Sequence, residues 1–248
     1  MVEFFMTRPV LNIQSYLIAS LLLTSLLVSS AQAEVPLRAF HATYALEKSN
    51  LSLATAELSL APQGDQWRWR LLTRAKGFYA MLTRKRPFSE TLFRQTDGDL
   101  LLQSILITEG PHDQRPETAR FDWESRQMQV KRKGKQNTRE LPGSVHDYQS
   151  IHLVSADMQL RDQQQRDLYF YRKGKIIDTR LSYIGDKSIE IGGKTVPARA
   201  YQQSFTRTST VINYYYAADN PLLPLLIERL EEDESPAVLT LTSVEWGS

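Results

Sequence analysis

Apolar and polar residues alternate along most of this chain. In QWRWRLLTRA, residues 66–75, Trp67, Trp69, Leu71, Thr73 and Ala75 alternate with Arg68, Arg70, Leu72 and Arg74. That period of two belongs to a strand with one wet face. The same alternation, with β-branched and aromatic enrichment, predicts strands near 37–47, 51–61, 88–96, 100–109, 117–124, 126–133 and 136–141. A second series follows near 166–173, 175–184, 187–192, 195–206, 209–217, 223–233 and 237–246. The short Gly-bearing segments TDGDL, RKGKI and IGGKTV read as hairpin turns between antiparallel neighbours. A meander this long must curl or close to hide its edges. The expectation is a mainly β chain, with a single curved antiparallel sheet forming a half-barrel or barrel-like domain over residues 34–248.

Two stretches break the rhythm. AKGFYAMLTR, 75–84, predicts a short helix at about 76–84 whose Phe78, Tyr79 and Leu82 cover an end or face of the sheet. GSVHDYQSIHLVSADMQL, 143–160, predicts a second helix over about 147–160 that links the two series of strands. Asp147 is its expected N-cap, and Tyr148, Ile151, Ser155 and Met158 share a face.

Residues 17–28, LIASLLLTSLLV, are an apolar run followed by the small-x-small site Ala31-Gln32-Ala33. At about 1.5 Å per residue the run covers roughly 18 Å, short of a bilayer core of roughly 30 Å. The expectation is a signal peptide over 1–33, cleaved after Ala33, with no transmembrane helix in the mature chain. A start at Met6 would remove Glu3 and leave a more basic leader. The chain has no cysteine, which excludes a lipoprotein anchor, disulfides and thiolate catalysis. Export to the periplasm is the expected localisation.

Net charge is +2 with both signs interspersed, which argues against nucleic acid as a partner. Three basic clusters stand out: Arg84-Lys85-Arg86, Lys131 to Lys135, and Arg172 to Lys175. The last two read as solvated hairpin tips, and the alternative is a surface for an anionic lipid or glycan.

Ionisable residues suggest chemistry in two places. His146, Asp147 and His152 lie close together, but neither histidine pair nor Asp147 with His152 has the spacing of three or four that helical metal ligands prefer. Asp147 as a cap is the simpler reading, against a histidine general base in an envelope hydrolase. Glu109, His112 and Asp113 cluster in TEGPHDQRPET, where Gly110-Pro111 and Pro116 mark a turn. No metal or other cofactor is expected, and the phosphate-binding loop, nucleophile elbow and zinc-helix motifs are absent from the sequence. Aromatic residues carry more. LYFYRKG and VINYYYA place Tyr169, Phe170 and Tyr171, and Tyr214, Tyr215 and Tyr216, on both faces of their strands, so both faces should be covered. Trp67, Trp69, Phe78, Tyr169, Tyr171, Tyr214 and Tyr216 are the candidate ligand-binding positions, and ordinary core is the competing reading.

Five segments together resemble the domain of unknown function 3108 family of exported Gram-negative proteins: FHATYALEKSNLSLATAELSL, KGFYAMLTRKRPFSETLF, ARFDWESRQMQV, ELPGSVHDYQSIHLVSADMQLR and NPLLPLLIERL. In the first strand pair this chain has Ser49, Ala54 and Ala56 where the family pattern carries glycines. The resemblance implies an envelope location and a half-barrel-like fold, and it implies no catalytic residues. The expected function is non-catalytic binding of an envelope component, either a lipid-like or other hydrophobic molecule or a protein partner. The alternatives are the hydrolase and an assembly or chaperone scaffold that uses the charged segment ERLEEDESP, 228–236.

Overall fold

The computed structural model describes residues 34–247 apart from Asn50, Arg84, Asp97, Gly98 and His112. The expected signal sequence and the alternative start at Met6 lie outside the described residues. The first series of strands comprises β1 (Phe40–Lys48), β2 (Leu51–Gln63), β3 (Gln66–Ala75), β4 (Phe88–Thr96), β5 (Asp99–Thr108), β6 (Glu117–Asp122), β7 (Gln127–Arg132) and β8 (Lys135–Glu140). The second comprises β9 (Val145–His146), β10 (Gln165–Arg172), β11 (Lys175–Ile191), β12 (Lys194–Phe205), β13 (Val211–Ala217), β14 (Asn220–Leu230) and β15 (Ala237–Trp246). Helix α1 (Gly77–Leu82) follows β3, and helix α2 (Ile151–Leu160) follows β9.

All of the strands join one sheet, in the order β8-β7-β6-β5-β4-β3-β2-β1-β15-β14-β13-β12-β11-β10-β9. The chain starts in the middle, meanders outward to β8 at one edge, and reappears at the other edge as β9 and β10. It then meanders back until β15 pairs with β1 in antiparallel fashion. Laid flat, fourteen inter-strand steps of about 4.8 Å would hold the edges roughly 67 Å apart. The link from Glu140 to Val145 reaches at most roughly 18 Å, five steps of about 3.6 Å. The sheet therefore curls until its edges meet.

The edges meet through side chains, and no ladder joins β8 to β9 or β10 among the described residues. Arg139 Nε donates to the Gly174 carbonyl at 3.1 Å, and the Tyr171 hydroxyl donates to the Glu117 carboxylate at 2.7 Å. All of β8 is exposed and polar, KQNTRE, a composition that keeps a free edge from recruiting another chain.

Two strands depart from the alternation. Residues 175–191 form one long strand with a register shift between Tyr183 and Asp186, where Gly185 takes φ +95°. The bend keeps the ladder intact where a break near 185 was expected. Strand β9 is only two residues long and pairs with β10 in parallel, too short to carry a periodicity. The first hairpin is tight without the family's glycines: Lys48 pairs with Leu51, and Ser49 takes the left-handed turn at φ 52°.

Helix α2 lies inside the curl. Ile151, His152, Leu153, Val154, Ser155, Ala156 and Met158 are all buried, so the helix has core on every side where the sequence suggested one packed face. Leu153 and Ala156 pack in a cluster with Tyr44, Trp69, Phe93 and Leu102 of β1–β5. Ile151, Val154 and Met158 pack with Phe170, Leu181, Tyr201 and Tyr214 of β10–β13. The helix thus joins the two halves of the sheet.

Its first turn is held by Asp147, one turn ahead of the regular helix. Asp147 Oδ1 accepts from the Gln149 and Ser150 N–H groups at 3.2 and 2.8 Å, and the Ser150 hydroxyl oxygen accepts from the Asp147 N–H at 2.7 Å. This is the reciprocal arrangement of a capping box, with serine in the third position. The other carboxylate oxygen accepts from the Thr91 hydroxyl of β4, which pins the turn to the sheet. Asp147→Ala leaves the buried Gln149 and Ser150 N–H groups without that acceptor and the Thr91 hydroxyl with only Gln149 Oε1, at 3.3 Å, and is expected to lower stability by about 2 kcal/mol. Asp147→Asn keeps one cap oxygen and should lose less than half of that. Urea midpoints at neutral pH, with unchanged slopes, are the check.

Candidate functional site

The seven aromatic positions singled out in the sequence do not form one surface. Trp69, Tyr171, Tyr214 and Tyr216 are buried, Trp67 is half-buried against the core, and Tyr169 and Phe78 are exposed. Trp69, Tyr214 and Tyr216 come together around a residue outside that set. His152 of α2 has its ring 5.8 Å from Trp69, 5.5 Å from Tyr214 and 6.1 Å from Tyr216. Tyr171 lies apart, edge-on to Phe121 and bonded to Glu117.

The hydrogen bonds of this cage settle the state of His152. The Ser155 hydroxyl donates to the Ile151 carbonyl at 3.1 Å and accepts from the Tyr216 hydroxyl at 3.2 Å. The Tyr216 oxygen, 2.9 Å from His152 Nδ1, is then left to accept. Nδ1 of His152 therefore carries a proton and donates to the Tyr216 oxygen. Burial with no acidic partner pulls the imidazole pKa down to about 3. His146 is held down to about 4 by burial and then by the Arg166 charge. Burial pushes the Asp147 carboxyl up from its usual value, against hydrogen bonds from Thr91, Ser150 and Gln149 that lower it.

No hydrogen bond joins either histidine to Asp147 among the described residues: His152 engages Tyr216, and Asp147 engages Thr91, Gln149 and Ser150. A general base needs a pKa near the working pH and a group that orients it, and this trio supplies neither. Of the loop cluster, His112 lies outside the described residues. Asp113 accepts from the Glu109 and Arg115 N–H groups and the Thr108 hydroxyl, so it serves as a turn organiser. These backbone bonds lower its pKa. The acidic segment 231–236 is the exposed β14–β15 connection, with Glu234 paired to Lys48 and Glu231 to Arg229.

Clefts lie along the wall and rim. One of about 330 Å³ is bordered by Val35, His146, Asp157, Arg166 and Tyr169. Most of its charged groups are already matched: Asp157 accepts from Arg161 and Arg166, each at 2.7 Å, and Asp167 from Arg180, which leaves Asp99 without an ion pair among the described residues. A second, of about 410 Å³, is bordered by Arg132, Arg172, Lys173, Lys175 and Arg207, with Ile177 and Phe205 on its apolar side. The alternation pattern could not bring these cations together, because they come from β7, β10, β11 and the β12–β13 loop.

Helix α1 is the other feature that the sequence misplaces. Phe78, Met81 and Leu82 are 67%, 83% and 65% exposed, Tyr79 is 40% exposed, and no residue of the helix is buried. They do not cover the sheet. Among the described residues, backbone hydrogen bonds tether the chain on either side of the helix: the Lys76 N–H donates to the Leu53 carbonyl and the Arg86 N–H to the Glu109 carbonyl. Leu51, 55% exposed, stands on the same rim. Six helical residues cannot bury an apolar face without another body to pack on.

The neutral buried histidines set the acid response. Unfolded, each would titrate near 6.5; folded, they stay neutral down to about 3 and 4. From pH 6.5 downward the unfolded state therefore binds more protons and stability falls, by about 2 kcal/mol for each imidazole at pH 5. The raised Asp147 pKa acts in the opposite sense at lower pH. Urea unfolding at pH 7 and pH 5 checks this, and His152→Gln should flatten the decline although it lowers stability at pH 7.

No helix of the described residues is long and apolar enough to cross a membrane. Comparison with solved structures finds the β-barrel-like protein of domain of unknown function DUF1849 from Brucella abortus, at a TM-score of 0.58 and 11% identity. The match covers 87% of this chain and 100% of that one, and it is a likeness of fold. MucB in complex with MucA(peri) matches at 10% identity over 84% of this chain and 89% of that one, with a TM-score of 0.18. The Pseudomonas aeruginosa MucA/MucB complex matches at 11% identity over 85% and 89%, again with a TM-score of 0.18. No curated protein matches the chain. The family described as protein of unknown function (DUF3108) matches residues 39–242, which takes in every strand from β1 to β14 together with α1 and α2, and the chain belongs to that family.

Proposed function

We propose that this protein is a non-catalytic binding protein of the periplasm that engages an envelope component through its outer rim. The observation that carries this reading is α1, which presents Phe78, Tyr79, Met81 and Leu82 to solvent while none of its residues is buried. Exposed large apolar side chains clustered in one short element mark an interaction surface far more often than a solvated one. The interior offers less, since α2 and the cage around His152 occupy the space that a lipid-like ligand would need. An exported location is supported by the leader-like N-terminus, and the absence of cysteine argues against a lipoprotein anchor.

The test is envelope retention in cells. After osmotic shock the wild-type protein should stay with the envelope fraction, and Phe78→Ser with Met81→Ser should move most of it into the shock fluid. Because both positions are exposed, the double variant should keep the wild-type urea midpoint. Equal release of the two proteins would count against a binding role for this rim.

A further inference from the structure

The three basic clusters are far apart in sequence, yet the meander carries them to one end of the barrel. In an antiparallel sheet, alternate connections share an end. The register places the β1–β2, β3–β4, β5–β6 and β7–β8 connections on one rim. Pairing of Lys48 with Ala237 puts the β14–β15 connection there too, and the ladders from β10 to β14 add β10–β11 and β12–β13. Lys133 and Lys173 occupy the β7–β8 and β10–β11 turns. Lys85 and Arg86 follow α1, and Arg207 lies in the β12–β13 loop. Two of the clusters come together across the seam: a Cβ added at Gly174 would meet the Arg132 side chain at 3.1 Å, and Arg132, Arg172, Lys173, Lys175 and Arg207 border the cleft of about 410 Å³.

Most acidic groups on the rim are spent or set aside, and Asp178 is the exception. Glu117 pairs with Arg132 and Glu109 with Lys85, and the Asp113 carboxylate holds its own loop. Asp178 borders the basic cleft. The block Glu231 to Glu234 stands in the β14–β15 connection, on the arc between β1 and β13. The opposite arc runs from Arg207 through the seam to α1 and carries the unpaired cations. Lys76, Arg86, Lys133 and Lys173 have no ion pair among the described residues.

We infer that this arc is a docking surface for an anionic phospholipid bilayer, which names the envelope component of the proposed function and rests on that reading. Helix α1 lies in the interface with Phe78, Met81 and Leu82 among the acyl chains, and the seam cleft receives a phosphate-bearing headgroup between Arg172, Lys173, Lys175 and Arg207. Apolar side chains flanked by cations are the arrangement that binds membrane surfaces, with charge providing approach and insertion providing residence. A protein partner would need one matching body to meet both α1 and the seam turns, whereas a flat anionic sheet meets both at once.

The protein purified from its native envelope is mixed with vesicles of phosphatidylethanolamine containing a quarter phosphatidylglycerol, or with vesicles of phosphatidylcholine alone, and sedimented. Binding to the phosphatidylglycerol vesicles should be at least tenfold tighter and should fall steeply at about 0.5 M salt, where the screening length drops to roughly 4 Å. Lys173→Glu with Lys175→Glu should weaken it at least tenfold, and so should Phe78→Ser with Met81→Ser. Each variant is first shown to keep the wild-type urea midpoint. Equal binding to both vesicles, no binding, or binding untouched by either pair of substitutions overturns the bilayer as occupant. If vesicles are not bound but envelope retention still depends on Phe78 and Met81, the rim binds another component, and only this inference falls.

Discussion

Because only residues 141–144 separate the strand at one sheet edge from the strand at the other, the two edges of this long meander cannot part. Everything else follows from holding them together. The curl creates an inside, and an inside of this size must be filled. The same stretch of chain that joins the edges supplies the filling, since Asp147 turns it inward and α2 then packs against both halves of the sheet. A barrel-like wall whose lumen holds its own helix is a rigid object. Its binding surfaces are where the packing is incomplete, along the seam and the rim.

The polar groups inside are consistent with that rigidity. Burying His152, Tyr216 and Ser155 together costs little because each donor has an acceptor along a single chain of bonds. The carboxylate of Asp147 is tolerated for the same reason. Asp147 and His152 gain a fixed geometry at the expense of acidity and basicity, so two of the three residues that looked like chemistry in the sequence hold α2 in place.

Much of the sheet was legible in the sequence, because alternation is local. Strand β3 shows it plainly, with tryptophans inward and arginines outward, two of them paired to Glu90 and Glu57 of the neighbouring strands. The cap at Asp147 was legible for the same local reason. What was hidden is what depends on distant residues. Pairing of β15 with β1 leaves no mark in either strand, and β9 is too short to have a period. Tyr148, Ile151, Ser155 and Met158 marked a single packed face on α2, because nothing nearby shows that His152, off that face, is buried against Tyr216. Phe78 and Leu82 have the spacing of a packed helical face, and spacing cannot tell whether a partner for that face is in the chain. The common rim of the basic clusters could be inferred within each series by counting strands, but the count is lost across 141–164, where a two-residue strand and a buried helix intervene.

The central claim is that the interior is filled by α2 and the rim binds. Amide hydrogen exchange of the protein with and without phosphatidylglycerol-containing vesicles tests both halves at once. The account predicts slow exchange over 151–160 in both states, with new protection confined to 76–87 and to the turns at 131–135 and 172–175. Protection that instead appeared in α2 and β13, with the rim unchanged, would show a ligand entering the barrel and would contradict it.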